Sequence, residues 1–393
     1  MRLYEKILII IIILASLGLY ELKGLGIVVR LLDISTIGLI ILALFVWAYF
    51  GPQKERVRPG FRTPIILLLI GVFISSFAAD LYHNQPLHLT LYQQRHMYAF
   101  LFYFLLIYMA PKQEWIVNLL FYFGVIGGLF FLLQYFLYPT VITDAKIFFQ
   151  RGTLRINVPG AIYMHIAFFI SINRFFITFN KKYAFAAALL LAVAILSAYR
   201  STVFMYIFIS FAYMLFGSKV KKKVFLFSLY ALSVIAAFFA FQSLLMEMQV
   251  SAERESQEGA SNIRYRSAEY YLSSNKDHPF TFFLGNGEPT QRSAYGLKIS
   301  SVSQLYGYYL SDIGIIGFYF KFGLLASLAV LFMMLKVLLT PIKINMIFLK
   351  LFFAYQFFLI LNTILPFEYL SGIIAVCLLL YLYDRHLSME KNT

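Results

Sequence analysis

Long apolar runs joined by short polar ones fill this chain, and a single polar stretch breaks the rhythm. A helix crossing the hydrocarbon core of a bilayer needs about 20 predominantly apolar residues, with a range of roughly 17 to 25. Twelve runs of about that size are present, at 5–22, 32–50, 64–80, 96–110, 115–137, 158–174, 183–199, 201–217, 224–242, 312–336, 347–361 and 366–383. The pattern predicts an all-α polytopic membrane protein of about 12 transmembrane helices. The first run follows Arg2 and Lys6 in the manner of a signal peptide. No small-residue cleavage site follows before Glu21, so it is expected to stay as the first span. The chain then divides into spans 1–9 over 1–242, a polar loop of 69 residues over 243–311, and spans 10–12 with a tail over 312–393.

Charge sets the orientation, because Lys and Arg stay preferentially on the cytoplasmic side. With the N-terminus inside, 19 of the 33 Lys and Arg fall on inner segments and 13 on outer ones, and Lys321 lies within a span. Leaving aside the long loop, whose charges weigh little in the rule, the outer total is 7. The alternation predicts an even number of spans, cytoplasmic termini and an external 243–311 loop. A hydrophobic share of 61%, only 13% charged residues and a mean hydropathy of +0.77 exclude a soluble globule. The net charge of +15 fits inner loops facing anionic lipid. No basic stretch is long enough for a nucleic-acid groove, so no nucleic-acid partner is expected. The lone Cys377 sits in an apolar run, which excludes an intrachain disulfide or a cysteine-ligated metal cluster. No internal repeat marks two transporter halves.

The outer-face basic residues are not evenly scattered. Lys146, Arg151 and Arg155 precede Asn157-Val158-Pro159-Gly160, and Arg200 lies in the tight turn Ser197-Ala198-Tyr199-Arg200-Ser201. Such a turn holds Arg200 at the outer membrane surface, either as a snorkelling interfacial residue or as a guanidinium fork for a phosphate at headgroup depth. Within the loop, 251–262 reads as flexible and 263–274 as a short helix. Arg266 and Glu269, three apart, are placed to pair there, whereas Arg264 points to another face. Gly285-Asn286-Gly287 suggests a tight turn or a close backbone approach to a ligand. Tyr306, Tyr308 and Tyr309 form either an aromatic belt or a stacking platform for sugar rings. Gly314 and Gly317 permit close helix packing. Lys321, about 13 Å deeper than Asp312 along a helix, is a functional candidate by its burial alone.

Three motifs in this order resemble the O-antigen polymerase and O-antigen ligase superfamily, whose polymerases are of the Wzy type. They are Ser197-Ala198-Tyr199-Arg200, then Arg264 with His278-Pro279 and Gly285-Asn286-Gly287, then the re-entry Tyr309-Leu310-Ser311-Asp312-Ile313-Gly314. The resemblance implies a metal-independent membrane glycosyltransferase, GT-C-like and without cofactor, in the bacterial inner membrane. Its active site would be periplasmic. It would polymerise undecaprenyl-diphosphate-linked oligosaccharides, which serve as donor and acceptor, into O-antigen, capsule or exopolysaccharide. The bilayer and a chain-length regulator protein are the other implied partners. Ligases of the superfamily, which transfer glycan to lipid A core, carry a histidine near the place that falls at Ser303-Gln304 here. This chain has no histidine between His278 and His386, which favours the polymerase. Arg200 and Arg264 are the expected diphosphate ligands, with Arg151 or Arg155 in support. His278, Glu269 and Asp312 are the candidates for deprotonating the acceptor hydroxyl. Arg266, Gly285, Gly287, Ser303, Tyr306 and Tyr309 complete the expected substrate contacts. A lipid-linked oligosaccharide flippase and a non-enzymatic scaffold are the rival readings.

Overall fold

A computed structural model describes residues 3–50, 57–150, 153–217, 262–274 and 279–390, with scattered positions between 228 and 253. Apolar runs become helices because hydrocarbon offers no partner to a backbone N–H or C=O, so each must be satisfied within the segment. Helices accordingly occupy eleven of the twelve predicted runs, Leu3–Ser16, Gly26–Phe50, Arg62–His83, Leu101–Met109, Gln113–Leu137, Ala161–Thr178, Lys181–Leu196, Arg200–Phe216, Gly314–Leu339, Ile347–Leu359 and Leu370–Glu390. Most of the run at 224–242 lies outside the described residues. Among the described residues, five helices are both long and apolar enough to cross a membrane. The protein is therefore mostly helical and of membrane character.

Local sequence explains where the helices stop. Asn84, Ala110 and Phe179 adopt left-handed backbone (φ of 52°, 45° and 55°) and close the preceding turns, and Pro111 follows one of them. Asn180 begins the next helix by accepting a hydrogen bond from the Lys182 amide at 3.0 Å. Small residues then bring helices together. A Cβ on Gly124 would lie 2.1 Å from the Tyr163 carbonyl oxygen, and one on Gly71 would lie 3.0 Å from the Ala326 amide. The Gln113–Leu137 and Ala161–Thr178 helices, and the Arg62–His83 and Gly314–Leu339 helices, form two closely packed pairs on these contacts.

Connecting segments sort to two ends. At one, Glu114 pairs with Arg174 at 2.8 Å, Asn173 Nδ2 donates to the Asn345 carbonyl, the Gly60 amide to Asp384, and the Lys343 amide to His386. At the other, 20–25 pairs with 142–145, and 147–156 forms an antiparallel hairpin with Phe148 opposite Arg155. The loop region from Ile263 onward packs at this second end. Tyr271 and Tyr295 of the loop share a small apolar core with Ile313 and Phe320. Among the described residues, the short hairpin and an isolated bridge between Leu22 and Thr143 depart from an all-helical reading.

The Gly314–Leu339 helix is broken at Gly323, whose φ of 76° and ψ of −177° are not helical. The Phe320 and Lys321 carbonyls are instead taken by the Asn286 amide at 2.9 Å and the Gly287 amide at 2.8 Å. Asn286 Nδ2 adds a second bond to the Phe320 carbonyl at 2.9 Å. The loop thus fills a gap in a membrane-depth helix, which satisfies backbone groups that hydrocarbon would leave unmet.

Candidate active site

The loop-bearing end holds a cavity of about 630 Å³. Its wall is contributed by the end of the first helix with Gly18 and Glu21, by His96, and by 156–162. The turn at Ser197 and Tyr199, the end of the Ile347–Leu359 helix with Thr363, and 369–372 also contribute. Left-handed backbone at Leu19, Tyr20 and Glu21 (φ of 52°, 59° and 49°) folds the first connection back over this end. Gly160 is required beside it, because its φ is 79° and a Cβ there would meet the Leu17 side chain at 2.0 Å.

His165 and Tyr355 of the lining belong to a polar network that continues into the bundle through Tyr206 and Thr202. His165 Nδ1 lies 2.6 Å from the Tyr206 hydroxyl and its Nε2 lies 3.4 Å from the Tyr355 hydroxyl, which in turn lies 3.0 Å from Thr202 Oγ1. Tyrosine faces and paired hydroxyls suit a sugar ring, which is apolar on its faces and polar at its edge.

Three arginines stand beside segments that contribute to the lining. Arg155 donates from Nε to the Ser197 carbonyl at 3.2 Å, and its guanidinium stands over the Tyr199 ring at 4.6 Å. Thr153 fixes the hairpin to the same turn by donating to the Leu196 carbonyl at 2.8 Å. Arg200 opens the Arg200–Phe216 helix immediately after the cavity-lining Tyr199 and is half-buried. That helix runs beside Ile347–Leu359, as the Thr202–Tyr355 contact records. Arg264, exposed on the Ile263–Ser274 helix, reaches Asn362 Oδ1 at 3.5 Å, one residue before the cavity-lining Thr363. Arg155 thus contacts the lining turn at Ser197 and Tyr199, Arg200 follows that turn in sequence, and Arg264 contacts the residue before lining Thr363. Arg151 and His278 lie outside the described residues.

The remaining predicted residues are dispersed. Arg266 and Glu269 are exposed on the Ile263–Ser274 helix and do not pair with each other. Asp312 is exposed and accepts from its neighbour Ser311 at 3.3 Å. Ser303 donates to the Ile299 and Tyr308 carbonyls, closing its own helix, and Tyr306 and Tyr309 face outward, 60% and 49% exposed. Gly285 and Gly287 do make a close approach, but its object is the protein itself. A Cβ on Gly285 would lie 2.5 Å from the Gly323 amide, and one on Gly287 would lie 2.7 Å from the Ala79 side chain. Gly314 packs on the Ile360 carbonyl, while Gly317 packs on that of Leu310 within its own segment.

Lys321 gains partners that spacing along the chain does not reveal. Its Nζ lies 2.5 Å from Glu368 and 3.6 Å from Glu288, with side-chain exposures of 7%, 9% and 27% for Lys321, Glu368 and Glu288. Burial pushes the Glu288 carboxyl up from the ordinary glutamate range, and the Glu368 charge adds to this. Lys321 and His96 oppose it. Burial likewise holds the Tyr295 hydroxyl well above its usual value, so it stays protonated. His83 stacks on that ring at 4.4 Å and meets Asn286 Oδ1 at 2.7 Å, while Gln85 Nε2 donates to the Glu288 carbonyl at 2.8 Å. The end of the Arg62–His83 helix thus fixes the loop backbone that presents Glu288.

Sequence reasoning passed over His96, His165, Glu21, Glu288 and Glu368. A buried lysine demands a carboxylate, so Lys321 was the available signal for the last two. His165 stands singly in an apolar run, His96 follows the polar Gln93-Gln94-Arg95, and neither carries a spacing signature. Comparison with protein-family models finds no match, and comparison with curated proteins finds none either.

Proposed function

We propose that this protein is a membrane glycosyltransferase that polymerises undecaprenyl-diphosphate-linked oligosaccharide repeat units on the periplasmic face of the bacterial inner membrane. In this reading the chain has twelve spans with both termini cytoplasmic, and the cavity-bearing end is periplasmic. The observation that carries it is that Arg155, Arg200 and Arg264, from three parts of the chain, each stand on or next in sequence to segments that line one cavity. A departing diphosphate needs its developing charge stabilised, and guanidinium groups held in a partly desolvated site do this without reorganisation. The tyrosine-rich wall accommodates sugar, and the lipid tail stays in the surrounding bilayer. A flippase would instead need charges lining a path through the bundle, whereas Lys321 is engaged by a loop residue and by Glu368.

The test is purified protein in lipid nanodiscs with one undecaprenyl-diphosphate-linked repeat unit, read as product length. A ladder is the expected product, and a single transfer that requires lipid A core would point to ligation. Arg200→Ala and Arg264→Ala are each expected to lower ladder formation by about 100-fold or more, with insertion and thermal melting retained. A ladder undiminished in the double variant would sink the proposal.

A further inference from the structure

Resting on the glycosyltransferase reading, we propose that the cavity holds the uncharged sugar ring joined to the donor diphosphate, and that Gln356 selects this ring by hydrogen bonding. Buried polar groups are almost always hydrogen-bonded, so an exception points to a partner that the folded chain does not supply. Seven amide side chains are buried among the described residues. Gln85, Gln94, Gln113, Gln134, Asn173 and Asn286 each bond to protein atoms. The seventh, Gln356, is 5% exposed, lines the cavity and has no hydrogen-bond partner among the described residues.

Tyr355, Gln356 and Leu359 contribute to the lining from the Ile347–Leu359 helix, at spacings that share one face. Other polar groups of the wall are already engaged. The Tyr355 hydroxyl lies 3.0 Å from Thr202 Oγ1 and 3.4 Å from His165 Nε2, while the Ser197 and Ser16 hydroxyls donate to the Val193 and Ile13 carbonyls. Gln356 therefore offers a ligand two N–H donors and a carbonyl acceptor in one plane, which fits neighbouring ring hydroxyls.

Charge decides which rings are accepted. Among the described residues no Lys or Arg contributes to the lining, and Glu21 is its one carboxylate. A sugar carboxylate brought inside would meet that of Glu21 in a partly desolvated space, so a uronic acid is disfavoured where a hexose is not. Leu17, Phe131, Ile162, Met164 and Leu359 give the rest of the wall an apolar character that suits ring faces. The diphosphate, joined directly to this ring, stays with Arg155 and Arg200 beside the turn at Ser197 and Tyr199.

The experiment measures equilibrium binding, in lipid nanodiscs, of farnesyl diphosphate alone and of farnesyl diphosphate linked to glucose, galactose or mannose, each beside its uronic acid. At least one hexose probe is expected to bind wild type about tenfold more tightly than farnesyl diphosphate and than its own uronic acid. Gln356→Met keeps the side-chain shape and removes the amide. Its hexose binding is expected to fall to the level of farnesyl diphosphate, which binds as before. Without ligand, Q356M is expected to melt no lower than wild type, because no protein partner is lost. A lower melting temperature, or failure to fold, would assign the amide to the wall and overturn the proposal. Hexose binding undiminished in Q356M would do the same, as would uronic acids bound as tightly as hexoses by wild type. Glu21→Gln is expected to narrow the gap between hexose and uronic acid, and an unchanged gap overturns the selection by charge. Hexose probes that bind no better than farnesyl diphosphate overturn the subsite and leave glycosyl transfer standing. Farnesyl diphosphate itself failing to bind strikes the glycosyltransferase reading instead.

Discussion

At the scale of single residues, Lys321 has two carboxylates and almost no water. Removing one member of a buried ion pair leaves an uncompensated charge and costs about 3–5 kcal/mol. Replacing the whole set by neutral groups of similar shape is far milder. Lys321→Met is therefore expected to lower thermal stability in detergent sharply, and the triple variant Lys321→Met, Glu288→Gln, Glu368→Gln to recover most of the loss. A triple variant melting below the single one would show that the cluster is not held together by charge. The lysine was legible in the sequence because an apolar run makes any charge conspicuous. Its partners were not, since one lies far upstream in a loop and the other far downstream. The arginines differ in this respect. Arg200 was readable from the tight turn that confines it, and Arg264 from its lack of a local partner. The expected bases Glu269 and Asp312 were named for proximity in sequence, and both face outward.

At the scale of elements, hydropathy placed most helix ends within a few residues, because desolvating backbone enforces helix wherever side chains are apolar. It did not show the paired strands 147–150 and 153–156, which are short and tied to the turn after Leu196 by Thr153 and Arg155. Nor did it show the interruption at Gly323. One glycine in an apolar run costs only about 1 kcal/mol relative to alanine and reads as tolerated. The glycines at 285 and 323 face each other so closely that a Cβ on either would meet backbone at 2.4–2.5 Å, and both have positive φ. Gly285→Ala and Gly323→Ala are each expected to detach the loop, seen as faster limited proteolysis within 279–300 at temperatures where the bundle stays folded. Wild-type protection in both variants would mean that the docking does not depend on this contact.

At the scale of the whole molecule, the described connections gather at two ends. Segments carrying Gly60, Glu114, Arg174, Asn345 and Asp384 meet at one end, and 20–25, 142–160, 197–200 and the loop at the other. The side of the membrane follows from the proposed orientation. In a Cys377→Ala background, Arg264→Cys is expected to react with an impermeant maleimide from the periplasm, and Lys343→Cys only after the membrane is opened. The reverse pattern would invert the orientation and place the cavity in the cytoplasm. The cavity was beyond sequence reasoning, because its wall joins segments from Ala15 to Gly372 that only tertiary packing brings together.

The docking of Asn286 and Gly287 onto the carbonyls of Phe320 and Lys321 bears on how such a chain is made. In the proposed orientation the strap of 285–287 is translocated before the helix it completes has left the ribosome. That helix must then enter lipid with two carbonyls unserved until the strap returns to them. In the proposed orientation, insertion of this span and folding of the segment before it are coupled, so a chain truncated between them should be retained by insertion chaperones and degraded.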